Sequence, residues 1–139
     1  MLTIPAALQR QVVDHCLDRY PKEACGLLAG PAASALGGEL TAVHVYLMRN
    51  VEDSPIGYAM DPKELLLVEK QMRQAGQRLV GIFHSHTASA AYPSSVDVGL
   101  ALSPDLAYVL VSLKDRAQPD FKSYRIEGAA ITPEEVRVV

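Results

Sequence analysis

Gly81-Ile82-Phe83-His84-Ser85-His86 has the pattern of a buried strand, and the later stretch Pro93-Ser94-Ser95-Val96-Asp97 has the pattern of a helix start. Side chains at positions i and i+2 of a strand point to the same face, so His84 and His86 can face one metal ion together. Asp97 falls in the first turn of the helix, from which its carboxylate can return to that ion. Two histidines and one carboxylate are a common catalytic zinc set that leaves a fourth position for water. The pattern favours zinc and leaves iron and manganese open.

Each part of this pattern also has an ordinary structural interpretation. A histidine pair at a strand end is a weak signal alone, and Ser94-x-x-Asp97 also matches a helix capping box. The combined pattern H-[ST]-H-x7-S-x2-D is far more specific, because the composition predicts about 4 × 10⁻⁵ chance matches in a chain of this length. The other histidines, His15 and His44, are expected to be packed or surface residues.

Two further segments point in the same direction as the histidine pattern. Pro21-Lys22-Glu23-Ala24-Cys25-Gly26-Leu27-Leu28-Ala29-Gly30 joins a glutamate to an apolar strand, and Tyr58-Ala59-Met60-Asp61-Pro62-Lys63-Glu64 leads into a helix. Together with the histidine pattern, these segments resemble the JAMM motif of the MPN+ metalloprotease family, the JAB/Mov34 group, in its short prokaryotic form. The resemblance covers roughly residues 1–125 and meets every motif position.

The resemblance implies a fold and a role for each motif residue. The implied fold is the MPN fold, an α+β architecture similar to that of cytidine deaminases, with a central mixed sheet flanked by about three helices. His84, His86 and Asp97 would bind one zinc ion, and Glu23 would act as general acid and base on the bound water. Ser94 would donate a hydrogen bond to the oxyanion of the tetrahedral intermediate.

The implied function is that of a zinc metalloprotease similar to deubiquitinases. Such an enzyme hydrolyses the bond after the C-terminal Gly-Gly of a ubiquitin-like β-grasp protein, in short prokaryotic members one of the sulfur-carrier type, or of its adduct. Isopeptide and linear bonds both remain open. The alternative is a non-catalytic MPN-type interaction module, which the intact motif disfavours. The resemblance also allows a homodimer, since members of the family often pair.

The spacing of the motif bears on the substrate groove. Seven residues separate His86 from Ser94, and eight separate Asp97 from the next strand-like run at Leu106, which leaves no room for long insertions beside the site. We therefore expect a simple groove, with the polar loop Asn50–Met60 as a candidate wall. The groove would suit an extended peptide tail bound as an added strand.

Composition limits the other function classes. The chain has 139 residues, which suits a single domain spanning 1–139, and a net charge of −3 with no basic run, which argues against a nucleic-acid partner. No apolar stretch approaches the roughly 20 residues of a membrane span, and the first residues do not resemble a secretory signal. Cys16 and Cys25 form no CxxC pair, so we expect a reduced, cytoplasmic protein, although a bridge between them stays open. The signatures of zinc deaminases and HExxH proteases are absent.

The local sequence patterns predict an α+β chain with several strands and about three helices. Asp61, Pro62 and Glu64 together mark a helix start, with Asp61 as N-cap and Glu64 as the partner in a capping box. The small-residue stretch 30–38 predicts a hairpin connection. The predicted strands are Leu2–Ile4, Cys25–Ala29, Glu39–Met48, Leu79–Ser85, Leu106–Leu113, Phe121–Ile126 and Val136–Val139, and the predicted helices span 5–20, 62–75 and 94–102.

Overall fold

The computed structural model describes residues 1–139 and contains three helices and nine strands, which confirms the predicted α+β class. The longest helix has 14 residues, and none of the three has the length and apolar character that crossing a membrane requires. The helices are α1 (Ala6–Arg19), α2 (Pro62–Gln74) and α3 (Ser95–Leu100). The strands are β1 (Leu2–Ile4), β2 (Cys25–Pro31), β3 (Leu40–Thr41), β4 (His44–Met48), β5 (Gln77–His86), β6 (Ala107–Ser112), β7 (Asp120–Glu127), β8 (Ala130–Glu134) and β9 (Val136–Val138).

The main sheet has six strands in the order β4-β2-β5-β6-β7-β8. Strands β5 and β6 are parallel, and all other neighbours in this sheet are antiparallel. A second sheet of three parallel strands has the order β3-β1-β9. Strand β5 therefore lies between two partners, and its last residue, His86, is held in register by Ser112 of β6.

Both faces of the main sheet are covered. The larger core cluster contains Val12 and Cys16 from α1, which pack against the sheet residue Phe83, and the smaller cluster contains Val68 and Met72 from α2. Gly26 lies opposite Phe83 in the strand register, and a Cβ atom at this position would overlap the phenyl ring. The glycine therefore lets that ring pack directly over β2.

The predicted strand Glu39–Met48 is wrong as one element, because the chain changes sheets within it. The Leu40 N–H donates to the carbonyl oxygen of Met1, just before β1, and the Ala42 N–H donates to that of Thr3 in β1. The Val43 N–H instead donates to the carbonyl oxygen of Ala29 in β2. The chain therefore forms β3 in one sheet and β4 in the other. The predicted hairpin pairing is confirmed, since β4 lies antiparallel to β2, but residues 30 and 31 belong to β2.

Two local predictions, the capping box of α2 and the end of α3, need correction, and one strand was missed. Asp61 caps α2 by accepting a hydrogen bond from the Lys63 N–H, but the Glu64 carboxylate accepts one from the Arg49 N–H, so the predicted capping box does not form. Strand β8 was not predicted; it pairs with β7 at the sheet edge, where Pro133 is tolerated because an edge strand has one unpaired side. Helix α3 ends at Leu100, two residues earlier than predicted.

The cysteines and the two remaining histidines lie outside the predicted metal group. Cys16 and Cys25 are separate buried thiols, and burial raises the pKa of each to about 12. His15 is buried with its ring edge against Phe83, and His44 is exposed on the edge strand β4. These observations agree with the expectation that both histidines are packed or surface residues.

Candidate functional site

His84 and His86 lie at the end of β5, and both side chains point to the same face of the sheet. Their Nε2 atoms are 3.2 Å apart, and each residue is only 6% exposed. Ser85, between them, points to the opposite face, where its hydroxyl accepts a hydrogen bond of 2.8 Å from the Ala24 N–H. The Ser85 N–H also donates to the Ala24 carbonyl oxygen. This two-bond contact fixes the start of β2 beside the two histidines.

Asp97 reaches the histidines from the first turn of α3. Its two carboxylate oxygens lie 3.1 Å from His84 Nε2 and 3.0 Å from His86 Nε2. The helix start holds it there, because Ser94 Oγ accepts a hydrogen bond from the Asp97 N–H and the Asp97 carboxylate accepts one from the Ser94 N–H. The sequence pattern therefore does form a capping box, and that box holds the carboxylate toward the histidines.

The distances between the three donor groups fit a tetrahedral metal ion. With ligand bonds of about 2.0 Å, a tetrahedral zinc site separates its ligand atoms by roughly 3.3 Å. The two Nε2 atoms are 3.2 Å apart, and each lies 3.0–3.1 Å from a different oxygen of the Asp97 carboxylate, so one oxygen can approach both after a small rotation. Two imidazole nitrogens and a carboxylate oxygen are also ligands that zinc accepts. The side chains could therefore hold such an ion without moving far.

The two histidines are supported in different ways. His86 Nδ1 lies 3.0 Å from the Ala90 carbonyl oxygen, so Nδ1 carries the proton and Nε2 is left as a metal ligand. The His84 ring instead stacks on Tyr58, with ring centroids 4.6 Å apart and planes 28° apart. Tyr58 has no motif role in the sequence analysis, where it appears only within the supporting segment before α2.

Charge is unevenly distributed over the three groups. Burial opposes ionisation of Asp97, but the hydrogen bonds to His84 and His86 outweigh it and hold the pKa of the carboxyl far below its usual range. Burial lowers the pKa of His84, which favours the neutral ring. Burial also opposes protonation of His86, but the hydrogen bond to Asp97 outweighs burial and raises the pKa of His86. The group therefore presents an anionic carboxylate to any bound cation.

Glu23 lies two residues before β2 and is 7% exposed. Its main chain is fixed by a hydrogen bond from its N–H to the Ser54 carbonyl oxygen and by one from the Asn50 side chain to its carbonyl oxygen. Burial is the largest cause that raises the pKa of its carboxyl to about 7; Asp97 raises it further and His86 opposes the rise. A carboxyl group with this pKa can both accept and release a proton near neutral pH.

One cleft of about 530 Å³ brings Glu23, His86, Asp97 and Ser94 together. Ser94 is exposed at its edge, and since its oxygen already accepts the bond that caps α3, its proton is free to be donated into the cleft. As predicted, the loop Asn50–Met60 supplies one wall. The exposed apolar side chains along the cleft are Ile56, Val96 and Leu100.

Comparison with known proteins agrees with this geometry. Residues 5–127 match the family model described as prokaryotic homologs of the JAB domain. The chain belongs to the prokaryotic JAB family. A CysO-cysteine peptidase of Mycobacterium tuberculosis is 45% identical over 139 residues, which cover 100% of this chain and 92% of that protein. A desampylase of Haloferax volcanii is 34% identical over 116 residues, 80% of each chain.

Solved structures show the same fold. The solution structure of a Desulfitobacterium hafniense protein has a TM-score of 0.88 at 35% identity and covers 100% of this chain and 93% of that one. A JAB1/MPN domain protein from Archaeoglobus fulgidus has a TM-score of 0.61 at 18% identity, with 99% and 98% coverage, and shows the shared fold. These comparisons confirm the predicted family, the predicted MPN fold and the predicted enzyme class, a JAB-family peptidase.

Proposed function

We propose that this JAB-family peptidase uses one zinc ion per chain to hydrolyse the bond after the C-terminal Gly-Gly of a ubiquitin-like β-grasp protein of the sulfur-carrier type. His84, His86 and Asp97 would hold the ion, and the observation that carries this proposal is that their donor atoms lie 3.0–3.2 Å apart where His86 and Asp97 line a cleft. When bound, such an ion is a Lewis acid that acidifies water and polarises a carbonyl group.

The chain's own residues move the protons and bind the developing charge. Glu23 takes a proton from the attacking water, whose oxygen joins the glycine carbonyl carbon. Glu23 then passes that proton to the leaving amine as the carbon–nitrogen bond breaks, a role that its raised pKa supports. The Ser94 hydroxyl donates to the oxyanion, and donors of this kind typically stabilise a transition state by about 3 kcal/mol.

The cleft suits a narrow, extended and mostly uncharged peptide tail. Its lining residues include no lysine or arginine, and its apolar wall is exposed, with Ile56 at 89% and Val96 at 67%. Glycine residues before the scissile bond have no side chain to obstruct the approach to the buried histidines. The names of the peptidase and the desampylase are consistent with this substrate class. The name of the mycobacterial enzyme, CysO-cysteine peptidase, includes cysteine as one part of its substrate.

The test is hydrolysis of a panel of β-grasp domains, each extended by a short peptide after its terminal Gly-Gly. Purified protein should contain about one zinc ion per chain and cleave after Gly-Gly, and a chelator should abolish the reaction until zinc is restored. Glu23→Ala should lower kcat at least about 100-fold, as expected for loss of a general acid and base. Glu127→Ala, an exposed residue of β7 away from the cleft, is the matched control.

Two results would count against the proposal. If Glu23→Ala cleaves at the parent rate, the assigned mechanism is wrong. If zinc-loaded protein cleaves no member of the panel, the alternative of a non-catalytic MPN-type module is favoured instead.

We also propose that residues 1–139 act as one domain in the cytoplasm, without a nucleic-acid or membrane partner. The net charge of −3 and the two buried free thiols support this proposal. The resemblance to paired family members suggests a homodimer, which sedimentation equilibrium of the zinc-loaded protein would test.

A further inference from the structure

We call the 530 Å³ cleft that contains Glu23, His86, Ser94 and Asp97 the metal cleft. A second cleft, of about 640 Å³, adjoins it. It lies between the C-terminal end of α1 and the residues that follow β4, and we call it the basic cleft. Glu23 is the only residue that lines both clefts.

The two clefts differ in charge. The metal cleft is lined by three acidic residues and no lysine or arginine, whereas the basic cleft contains Arg19, Lys22 and Arg49. The basic cleft also contains three carboxylates, those of Asp18, Glu23 and Asp53, and Asp53 holds the Lys22 ammonium at 2.6 Å. The guanidinium groups of the two arginines form no ion pair within the chain, so they remain free to bind an anion.

The strand order indicates on which side of the site the acyl group and the leaving group of the substrate would lie. Helix α3, which carries Ser94, lies on the β6 side of β5, where its Leu100 lines a small cavity together with Tyr108 of β6. Glu23 precedes β2, on the other side of β5. With the oxyanion at Ser94 and the amine at Glu23, the acyl group occupies the metal cleft. The leaving group then extends past Glu23, toward the basic cleft.

We propose that the basic cleft is the leaving-group site, and that Arg19 and Arg49 bind the α-carboxylate of a released amino acid. This inference rests on the proposed function. An amino acid joined through its α-amine carries a carboxylate two bonds from the scissile nitrogen, and arginine is suited to carboxylates because its planar group can donate two parallel hydrogen bonds. A protein released from a lysine side chain has no carboxylate at that position. The basic cleft therefore favours single amino acids, such as cysteine, over protein conjugates.

The experiment compares two substrates that differ only in this charge. The β-grasp domain that is cleaved fastest in the panel is prepared as a Gly-Gly thioester and ligated to cysteine or to cysteinamide. We expect the zinc-loaded parent to cleave the free acid at least about 10-fold faster in kcat/KM than the amide, a ratio worth about 1.4 kcal/mol. In the double variant Arg19→Gln/Arg49→Gln the ratio should fall toward one. Arg73→Gln, on the exposed face of α2 and outside both clefts, should keep the parent ratio.

Equal rates for acid and amide in the parent would overturn the proposal. So would a preference for the acid that survives in the double variant, since the carboxylate would then be bound elsewhere. Each variant is its own folding control, because the amide rate is measured on the same preparation. If the double variant cleaves neither substrate at a measurable rate, Arg49→Lys is tested instead. This variant keeps the positive charge and should retain part of the preference for the free acid over the amide.

A binding measurement separates this inference from the proposed function. If neither ligated substrate is cleaved, the proposed function fails. Gly-Gly-Ala and its C-terminal amide are therefore also titrated into ¹⁵N-labelled, zinc-loaded protein, with alanine replacing cysteine so that no thiol can bind the metal. The leaving-group site is supported if the acid, but not the amide, shifts the backbone amide signals of Lys22 and Arg49. The double variant should show no such shifts. Equal shifts with both peptides, or none, overturn it.

Discussion

The Glu23→Gln substitution should make the metal-free protein more stable at alkaline pH, although it removes the proposed general acid and base. Burial raises the pKa of Glu23 from 4.5 to about 7. Between these values the folded protein holds a proton that the unfolded chain releases, so the stability of the parent falls as the pH rises through this range. Glutamine carries no charge and escapes this loss.

The expected gain follows from the pKa change. One pKa unit is worth about 1.4 kcal/mol, so a rise from 4.5 to about 7 corresponds to roughly 3 kcal/mol above pH 7. Because the carboxylate borders a cleft open to water, we take this value as the upper limit and expect about 1–3 kcal/mol. For a chain of this size that is a Tm increase of roughly 3–10 °C.

The assay is urea and thermal unfolding of parent and variant from pH 5 to 9, with a chelator present because a bound cation would favour the charged carboxylate. The advantage of Glu23→Gln should be small at pH 5 and reach its full size above pH 7. Glu127→Gln, at an exposed position away from the cleft, controls for loss of one negative charge. An advantage of Glu23→Gln that does not change with pH would refute the reasoning.

Three further substitutions test the support of the site and the sheet edge. Tyr58→Leu should weaken zinc binding at least about 10-fold, measured in competition with a chromogenic chelator, because the ring that stacks on His84 is lost. Tyr58→Phe keeps that ring and should keep the zinc affinity of the parent. If Tyr58→Leu binds zinc as tightly as the parent, stacking is not needed. Ser85→Ala should lower the free energy of unfolding by about 1–3 kcal/mol in urea, because it leaves the buried Ala24 N–H without its acceptor; a loss below about 0.5 kcal/mol would contradict this. Burial opposes the charge of Glu134, but its hydrogen bonds outweigh burial and lower its pKa, so its stabilisation is present at neutral pH and lost as the pH falls below about 4.5. Glu134→Gln should therefore flatten the acid limb of stability against pH, and an unchanged limb would speak against this carboxylate.

The three residues of the predicted metal group could be proposed from local rules, whereas Glu23, which lies 61 residues before His84, was assigned through the family resemblance. The alternation of a strand brings His84 and His86 to one face, and the start of a helix fixes Asp97 relative to Ser94. Both rules act within a few residues and need no knowledge of the remaining fold. The distances between the three donor groups came only with the structure, since they depend on how α3 packs beside β5.

The predictions that failed depend on partners that are distant in the sequence. Leu40 and Ala42 donate to the carbonyl oxygens of Met1 and Thr3, each 39 residues earlier in the chain, and no pattern within 39–48 reveals these partners. The Glu64 carboxylate could accept from its own helix start or from another segment, and it accepts from the Arg49 N–H, just after the edge strand β4. The stacking of Tyr58 on His84 likewise joins positions 26 residues apart through a loop whose path the sequence does not specify.

The capping box of α3 affects how kinetic data on this protein can be interpreted. Ser94 and Asp97 hold the first turn of a helix of only six residues, and the Asp97 carboxylate of this capping box also contacts the two histidines. Removing such a cap typically costs about 1 kcal/mol, enough to let the turn fray and carry the carboxylate away. The rate lost in Ser94→Ala therefore combines a missing donor with a displaced ligand, and cannot be assigned to either. Ser94→Gly removes the hydroxyl, but glycine is tolerated at an N-cap and costs only a few tenths of a kcal/mol there, so a comparison with Ser94→Ala would separate the contributions.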